Sequence, residues 1–174
     1  MQQEVASLTS GKLIIDTGPL WDFLLMRCVR ELGWQSVVSM LRANKQHTFN
    51  TDLYERKVTG FLSAHKPIYT TPGVIAEING DANDFKGKKS TFWTLARNEL
   101  LQLGIDDKFI KFAEIQSQRI IDLGYVDASL IEIAIKEYSY KCTILTDDDG
   151  LLKKCKSANI HTICTYEIIY SAES

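Results

Sequence analysis

The sequence has no excess of either charge, no paired-cysteine motif, no long apolar run and no phosphate-binding glycine loop. Each absence removes a class of protein. Its 20 Lys+Arg stand against 22 Asp+Glu, and the sequence pI is near 5.9. That balance excludes a bulk electrostatic nucleic-acid binder of the histone kind, but leaves room for a local basic patch beside an acidic site. The four cysteines, Cys28, Cys142, Cys155 and Cys164, show no CxxC spacing, and no His pair lies at zinc-like spacing from them. They read as reduced thiols, not as a zinc centre or a disulfide framework. No apolar run approaches the roughly 20 residues that span a bilayer. Met1 to Lys12 is polar and lacks the apolar region of a signal peptide. A cytoplasmic protein with no membrane attachment is expected. A GxxxxGK(S/T) loop is missing, which excludes a P-loop enzyme. GxSxG is missing too, and His47, His65 and His161 have no evident nucleophilic partner, so triad hydrolysis is unsupported. There is no repeat, low-complexity tract or dividing linker.

What is present is ordinary in bulk. The 174 residues are 45% hydrophobic and 24% charged, which suits one globular domain with a sizeable core. We expect a polar tail over 1–11 and a single domain over 12–174. Leu13-Ile14-Ile15 and Cys142 to Leu145 read as strands buried on both faces. Ile160 to Cys164 reads as a third strand, and 67–70 as a short extended piece. Pro19 suits the first turn of a helix that runs to about Glu31 and stops at Gly33. Helical periodicity recurs over 34–42, 51–64, 90–103, 106–122 and 127–138, with short helices over 150–157 and 166–171. Thr71-Pro72 starts another helix, to about Asn79, with a capping Thr and a proline at its first position. The stretch 80–89 is polar and loop-like. Strands alternating with helices predict an α/β fold: a three-layer α/β/α sandwich around a central parallel sheet. In such sheets ligands bind outside the carboxyl ends of the strands.

Two predicted strands end in acids: Asp16 after the first, and Asp147-Asp148-Asp149 after the strand at 142–145. As parallel neighbours they would emerge on one sheet edge. Asp127 opens a helix, and Glu77 lies in the second turn of its helix, so both can lean toward that edge. Converging carboxylates repel and raise one another's pKa, a conflict that a divalent cation removes. Oxygen donors without paired His or Cys favour Mg²⁺ or Mn²⁺ over zinc. Each acid also has an ordinary role. Asp127 fits an N-cap with a Val126/Ile131 staple, Asp147–Asp149 fits a turn, and Glu77 fits a surface helix. Asp16 is different, because an acid directly after three buried aliphatics needs a partner.

The ordered pieces Leu13-Ile14-Ile15-Asp16-Thr17, Thr71-Pro72-Gly73-Val74-Ile75-Ala76-Glu77, Asp127-Ala128-Ser129-Leu130-Ile131 and Ile144-Leu145-Thr146-Asp147-Asp148 resemble the PIN-domain nuclease family. The resemblance samples the chain from residue 12 to 164. It implies a PIN-like sheet sandwiched by helices and Mg²⁺- or Mn²⁺-dependent phosphodiester hydrolysis, usually of RNA. It makes Asp16, Glu77, Asp127 and Asp148 the catalytic and metal-binding acids, with Asp147 as a further ligand and Asp149 beside them. It gives Thr17 and Thr146 the task of orienting carboxylates or a water, where ordinary turn hydrogen bonds are the alternative. Family members include ribonuclease toxins of toxin–antitoxin pairs, which implies a possible antitoxin-like protein partner and a homodimer. The helical material over 34–65 makes the interval from Asp16 to Glu77 longer than in those toxins.

A phosphate backbone needs cations. The candidates are Lys86, Lys88 and Lys89 with Arg97, or Lys153, Lys154 and Lys156; a solvated charged face is the plain alternative. Trp93 and Tyr54 are candidates for stacking on single-stranded bases, unless they belong to the core. Two other functions compete. A catalytically silent PIN-like module would bind RNA or protein without cleaving. A haloacid-dehalogenase-like phosphatase would also place an acid after the first strand, but it needs a second acid two residues on, where this chain has Gly18.

Overall fold

The computed structural model describes residues 11–41 and 50–170. The expected polar tail lies outside the described residues except for Gly11, and so do residues 42–49 of the long interval and residues 171–174.

β1 (Lys12–Ile15) is the middle of a five-stranded sheet. Leu13, Ile14 and Ile15 are wholly buried, as both-face coverage of a parallel strand requires. β2 (Ile68–Thr70) pairs with it in parallel on one side, with Leu13 opposite Ile68, and β4 (Cys142–Leu145) on the other, with Ile15 opposite Leu145. β3 (Ile105–Asp107) extends the sheet beyond β2, and β5 (His161–Ile163) beyond β4, giving the order β3-β2-β1-β4-β5. Asp106, Asp107 and His161 are exposed on the two outer strands, and charge there discourages edge pairing with another chain.

The helices follow from this order. α1 (Thr17–Leu32) leaves β1 and is closed by Gly33 in the left-handed conformation (φ +66°), whose N–H reaches the Val29 carbonyl. α2 runs through Thr51–Tyr54, a π-helical segment Glu55–Thr59, and Gly60–Ala64. α3 (Pro72–Asp81) follows β2, and α4 (Lys89–Leu103) precedes β3. α5 (Ser117–Leu123) and α6 (Tyr125–Lys136) lie between β3 and β4. α7 (Asp149–Ser157) joins β4 to β5, and α8 (Thr165–Tyr170) follows. Right-handed crossovers put α1, α2 and α4 on one face of the sheet and α6 and α7 on the other. α3 touches both α1 and α6. The chain leaves β1 toward one face and β4 toward the opposite face, so the topological switch point lies between these two strands.

Four expectations need correction. The helical period over 106–122 does not give one helix. It gives β3, a 3₁₀ turn at Phe112–Glu114 and then α5. Ladder pairing with β2 overrides the local pattern. The segment 34–42 is 3₁₀ over Gln35–Met40 rather than an α-helix, in a Ser- and Val-rich run of weak helix formers. The stretch 80–89 is not a free loop. α3 continues to Asp81, Ala82–Asp84 is 3₁₀, and Phe85 is buried among Trp21, Trp34 and Phe92. Finally, α6 begins at Tyr125 with Gly124 as its cap, so Asp127 lies within the first turn and is not the N-cap. Among the described residues no helix is long and apolar enough to cross a membrane, and the four cysteines are free thiols.

Candidate functional site

Asp16 is the first residue past β1, and it remains in the ladder because its N–H reaches the Leu145 carbonyl at 3.0 Å. It also caps α1. Its Oδ1 accepts from the Thr17 N–H at 2.6 Å, and its Oδ2 accepts from the Thr146 hydroxyl at 2.7 Å. The carboxyl is buried, and burial pushes its pKa up. The two hydrogen bonds oppose that rise, while Glu77 and Asp148 add to it.

Thr17 and Thr146 are both buried and each bridges two partners. The Thr17 hydroxyl donates to Glu77 Oε2 at 2.5 Å, which joins the start of α1 to the second turn of α3. Thr146, directly after β4, donates to Asp16 and accepts the Asp148 N–H at 3.1 Å. Asp148 caps α7, with Oδ1 accepting from the Leu151 N–H at 2.7 Å. Local packing brings these pieces close. A Cβ on Gly73 in the first turn of α3 would stand 3.0 Å from Val126 Cγ2, and a Cβ on Gly150 would stand 3.0 Å from Asp148 Oδ1. Glycine at 73 lets α3 press against the start of α6, where Asp127 is.

Asp127 is half-buried, and its carboxylate accepts no hydrogen bond from a described residue. Burial first, and then the charges of Asp16, Asp148 and Glu77, push its pKa up to about 7. Asp16, Glu77, Asp127 and Asp148 therefore share one electrostatic environment at the carboxyl edge, beside the switch point. As the side chains are placed, the described residues contain no group of three or more His, Cys, Asp or Glu that could hold a metal ion. Glu77 and Asp148 are solvent-exposed, and each carries a hydrogen bond on one oxygen. The donor set is oxygen throughout, which suits a hard divalent cation.

The three consecutive aspartates are separated by their surroundings. Asp147 faces α8: its Oδ1 accepts the Thr165 N–H at 2.7 Å and its Oδ2 accepts the Thr165 hydroxyl at 2.6 Å. Both oxygens are thus committed away from the other acids. Asp149 is exposed in the first turn of α7.

The basic candidates divide in the same way. Lys86, Lys88 and Arg97 are exposed, and Lys88 lies 5.2 Å above the Trp34 ring. Lys89 is held by the Asn79 carbonyl and Asn83 Oδ1. Lys154 pairs with Asp122 on α5 at 2.5 Å. Lys153 and Lys156 line a cavity of about 470 Å³ with Asn159 and His161, on the outer side of β5. Tyr54 is wholly buried, so it cannot stack on a base. Trp93 is half-buried, with its ring edge-on to Phe92.

Sequence reasoning passed over three buried carboxylates. Asp22 in α1, Glu99 in α4 and Glu132 in α6 are all buried. Glu99 meets Arg27 at 3.0 Å, and Glu132 meets Arg119 and the Gln116 N–H. The signal was an acid inside an apolar run, as in Trp21-Asp22-Phe23 and Ile131-Glu132-Ile133. No family model, curated protein or solved structure matches the chain.

Proposed function

We propose that this chain is a divalent-metal-dependent nuclease with a PIN-like site, cleaving RNA endonucleolytically. One observation carries the reading: four acids from four separate elements meet electrostatically at the switch point of a parallel sheet, and burial, with the charges of the other three added to it, lifts Asp127 to about 7. Ordinary caps and turns do not need that crowding, whereas a cation site does.

Asp16, Glu77, Asp127 and Asp148 would hold Mg²⁺ or Mn²⁺. Bound there, the cation supplies charge neutralisation at the phosphoryl oxygens and a more acidic water. The chain's own residues do the rest. Thr146 and the Thr17 N–H fix both Asp16 oxygens, so that acid is oriented before substrate arrives. Thr17 tethers Glu77, which couples α3 to the same point. Water attacks phosphorus in line with the leaving 3′ oxygen, the P–O3′ bond breaks, and a 5′-phosphate and a 3′-hydroxyl result. The water's proton would pass to the least engaged carboxylate, Asp127, and the leaving 3′ oxygen would take up a proton from solvent. Exposed Lys86, Lys88 and Arg97 supply positive charge for the flanking backbone.

The test is cleavage of labelled RNA by the purified chain with Mn²⁺, beside Asp16→Asn. Wild type should cleave and lose activity with a chelator, and Asp16→Asn should lose at least a hundredfold. A wild type that binds RNA but leaves it intact, with Asp16→Asn indistinguishable, would make the chain a silent binding module instead.

A further inference from the structure

The segment between β3 and α5 is firmly pinned, yet it presents bare aromatic rings. The Lys108 N–H extends the β2–β3 ladder to the Thr70 carbonyl at 2.8 Å. Ile110 and Ile115 are buried on either side of a 3₁₀ turn. The Glu114 carbonyl accepts from Lys136 Nζ at 2.6 Å, and Glu132 accepts the Gln116 N–H. Despite these anchors, Phe109 is 73% exposed and Phe112 67%. Phe112 stacks on Tyr125, the first residue of α6, at 6.0 Å between centroids and 22° between planes. Tyr125 is itself 39% exposed, and its hydroxyl donates to the Ile110 carbonyl at 3.4 Å.

We propose that Phe109, Phe112 and Tyr125 form a stacking platform for unpaired bases of a single-stranded nucleic acid held at the acidic edge. The proposal rests on the nuclease reading for what lies at that edge. Location is the first argument. The platform leaves the carboxyl end of β3, two strands and so about 10 Å from Asp16 at the end of β1. Tyr125 shares the first turn of α6 with Asp127. A base flanking the scissile phosphate can therefore reach the rings. Shape is the second argument. Flat rings, already oriented and partly stacked, suit the π-face that every base carries and cost little ordering entropy. Charge is mixed there: Lys111 is exposed between the two phenylalanines in sequence and Lys108 pairs with Asp106 at 2.9 Å, while Asp107 and Glu114 are exposed in the same segment, so the platform relies on its rings. Of the two aromatics that the sequence offered as stacking candidates, Tyr54 is wholly buried and Trp93 half-buried.

The experiment is fluorescence anisotropy of labelled oligoribonucleotides on the full chain with Ca²⁺. Three probes of one length are compared: a single strand, the same strand with abasic sites, and a duplex. Wild type should bind the single strand at least tenfold more tightly than either of the others. Phe112→Leu and Tyr125→Leu, with unchanged melting temperature, should each lose roughly tenfold on the single strand and nothing on the abasic strand. Leucine keeps apolar area but no ring face, so a surface that docks protein would tolerate it. Equal binding of abasic and normal strands overturns the platform, and so does self-association of the chain that Phe109→Asp abolishes. If base-dependent binding is present but Mn²⁺ cleavage is absent, the nuclease reading fails and the platform stands. If cleavage is present and binding ignores the bases, the platform alone fails.

Discussion

Asp127 shows how one residue records its neighbours. In the unfolded chain its carboxyl would ionise near 3.8, and in the folded chain near 7. The folded state therefore holds a proton that the unfolded state has already lost between these values. Without metal, stability should fall as pH rises from about 4 to about 7, and stay lowered above that. Asp127→Asn removes the penalty. Because Asp127 is partly solvated and screened, we expect a gain of about 1–2 kcal/mol at pH 8, or roughly 3–6 °C in Tm, and almost none at pH 4. Thermal melts of both proteins in chelator check this. An Asp127→Asn variant that melts below wild type at pH 8 would mean that the carboxylate is stabilising and that the four acids do not repel.

The same residue marks the limit of reading acids from sequence. Asp16 was legible because three buried aliphatics precede it. Asp127 carried two readings, capping and site, and the start of α6 removes the first: Gly124 (φ +85°) takes the cap and moves Asp127 into the first turn. Asp147 and Asp148 are adjacent in sequence but face opposite ways, and only Thr165, 18 residues on, explains why.

At the scale of elements, the site depends on close approach between α3 and α6. Gly73→Val would put side-chain carbons against Val126 and push the helices apart. The cost in stability should be about 1–3 kcal/mol. The loss of cleavage should be larger in proportion, tenfold or more, because Glu77 rides on the displaced helix. Activity assayed well below the variant's Tm separates the two effects. Full activity in a folded Gly73→Val protein would show that the placement of α3 does not matter. Buried Glu132 does a different job, pinning half-buried Arg119 on α5 and the Gln116 N–H just ahead of α5 to α6. Glu132→Ala strands the Gln116 N–H and the Arg119 guanidinium. It should cost about 2–4 kcal/mol by denaturant unfolding. A change under 1 kcal/mol would show that the segment is held by its buried isoleucines alone.

β3 was the least legible element. Ile105-Asp106-Asp107 offers a single apolar residue, so its period resembles the start of a helix, and only pairing with β2 makes it a strand. Phe85 was hidden for a related reason. One aromatic in a polar stretch gives no periodicity, and its burial against Trp21 and Trp34 is a tertiary fact. The inner strands, β1 and β4, were legible because burial on both faces leaves an uninterrupted apolar run.

For the whole molecule, near-neutral charge is a sum over unlike regions. Acids gather where β1 and β4 end, and lysines lie exposed on α7 and before α4. A cation at the acidic edge would bind the folded state alone and stabilise it by about 2.7 kcal/mol at a hundred times Kd, so that Tm rises with its concentration. Parallel topology explains why acids so distant in sequence can share that edge: each crossover returns the chain to the same side of the sheet. The most direct measurement is anomalous diffraction from crystals soaked in Mn²⁺. A manganese peak is expected between Asp16, Glu77, Asp127 and Asp148, with carboxylate oxygens at about 2.0–2.6 Å. No manganese peak among these four carboxylates would contradict it.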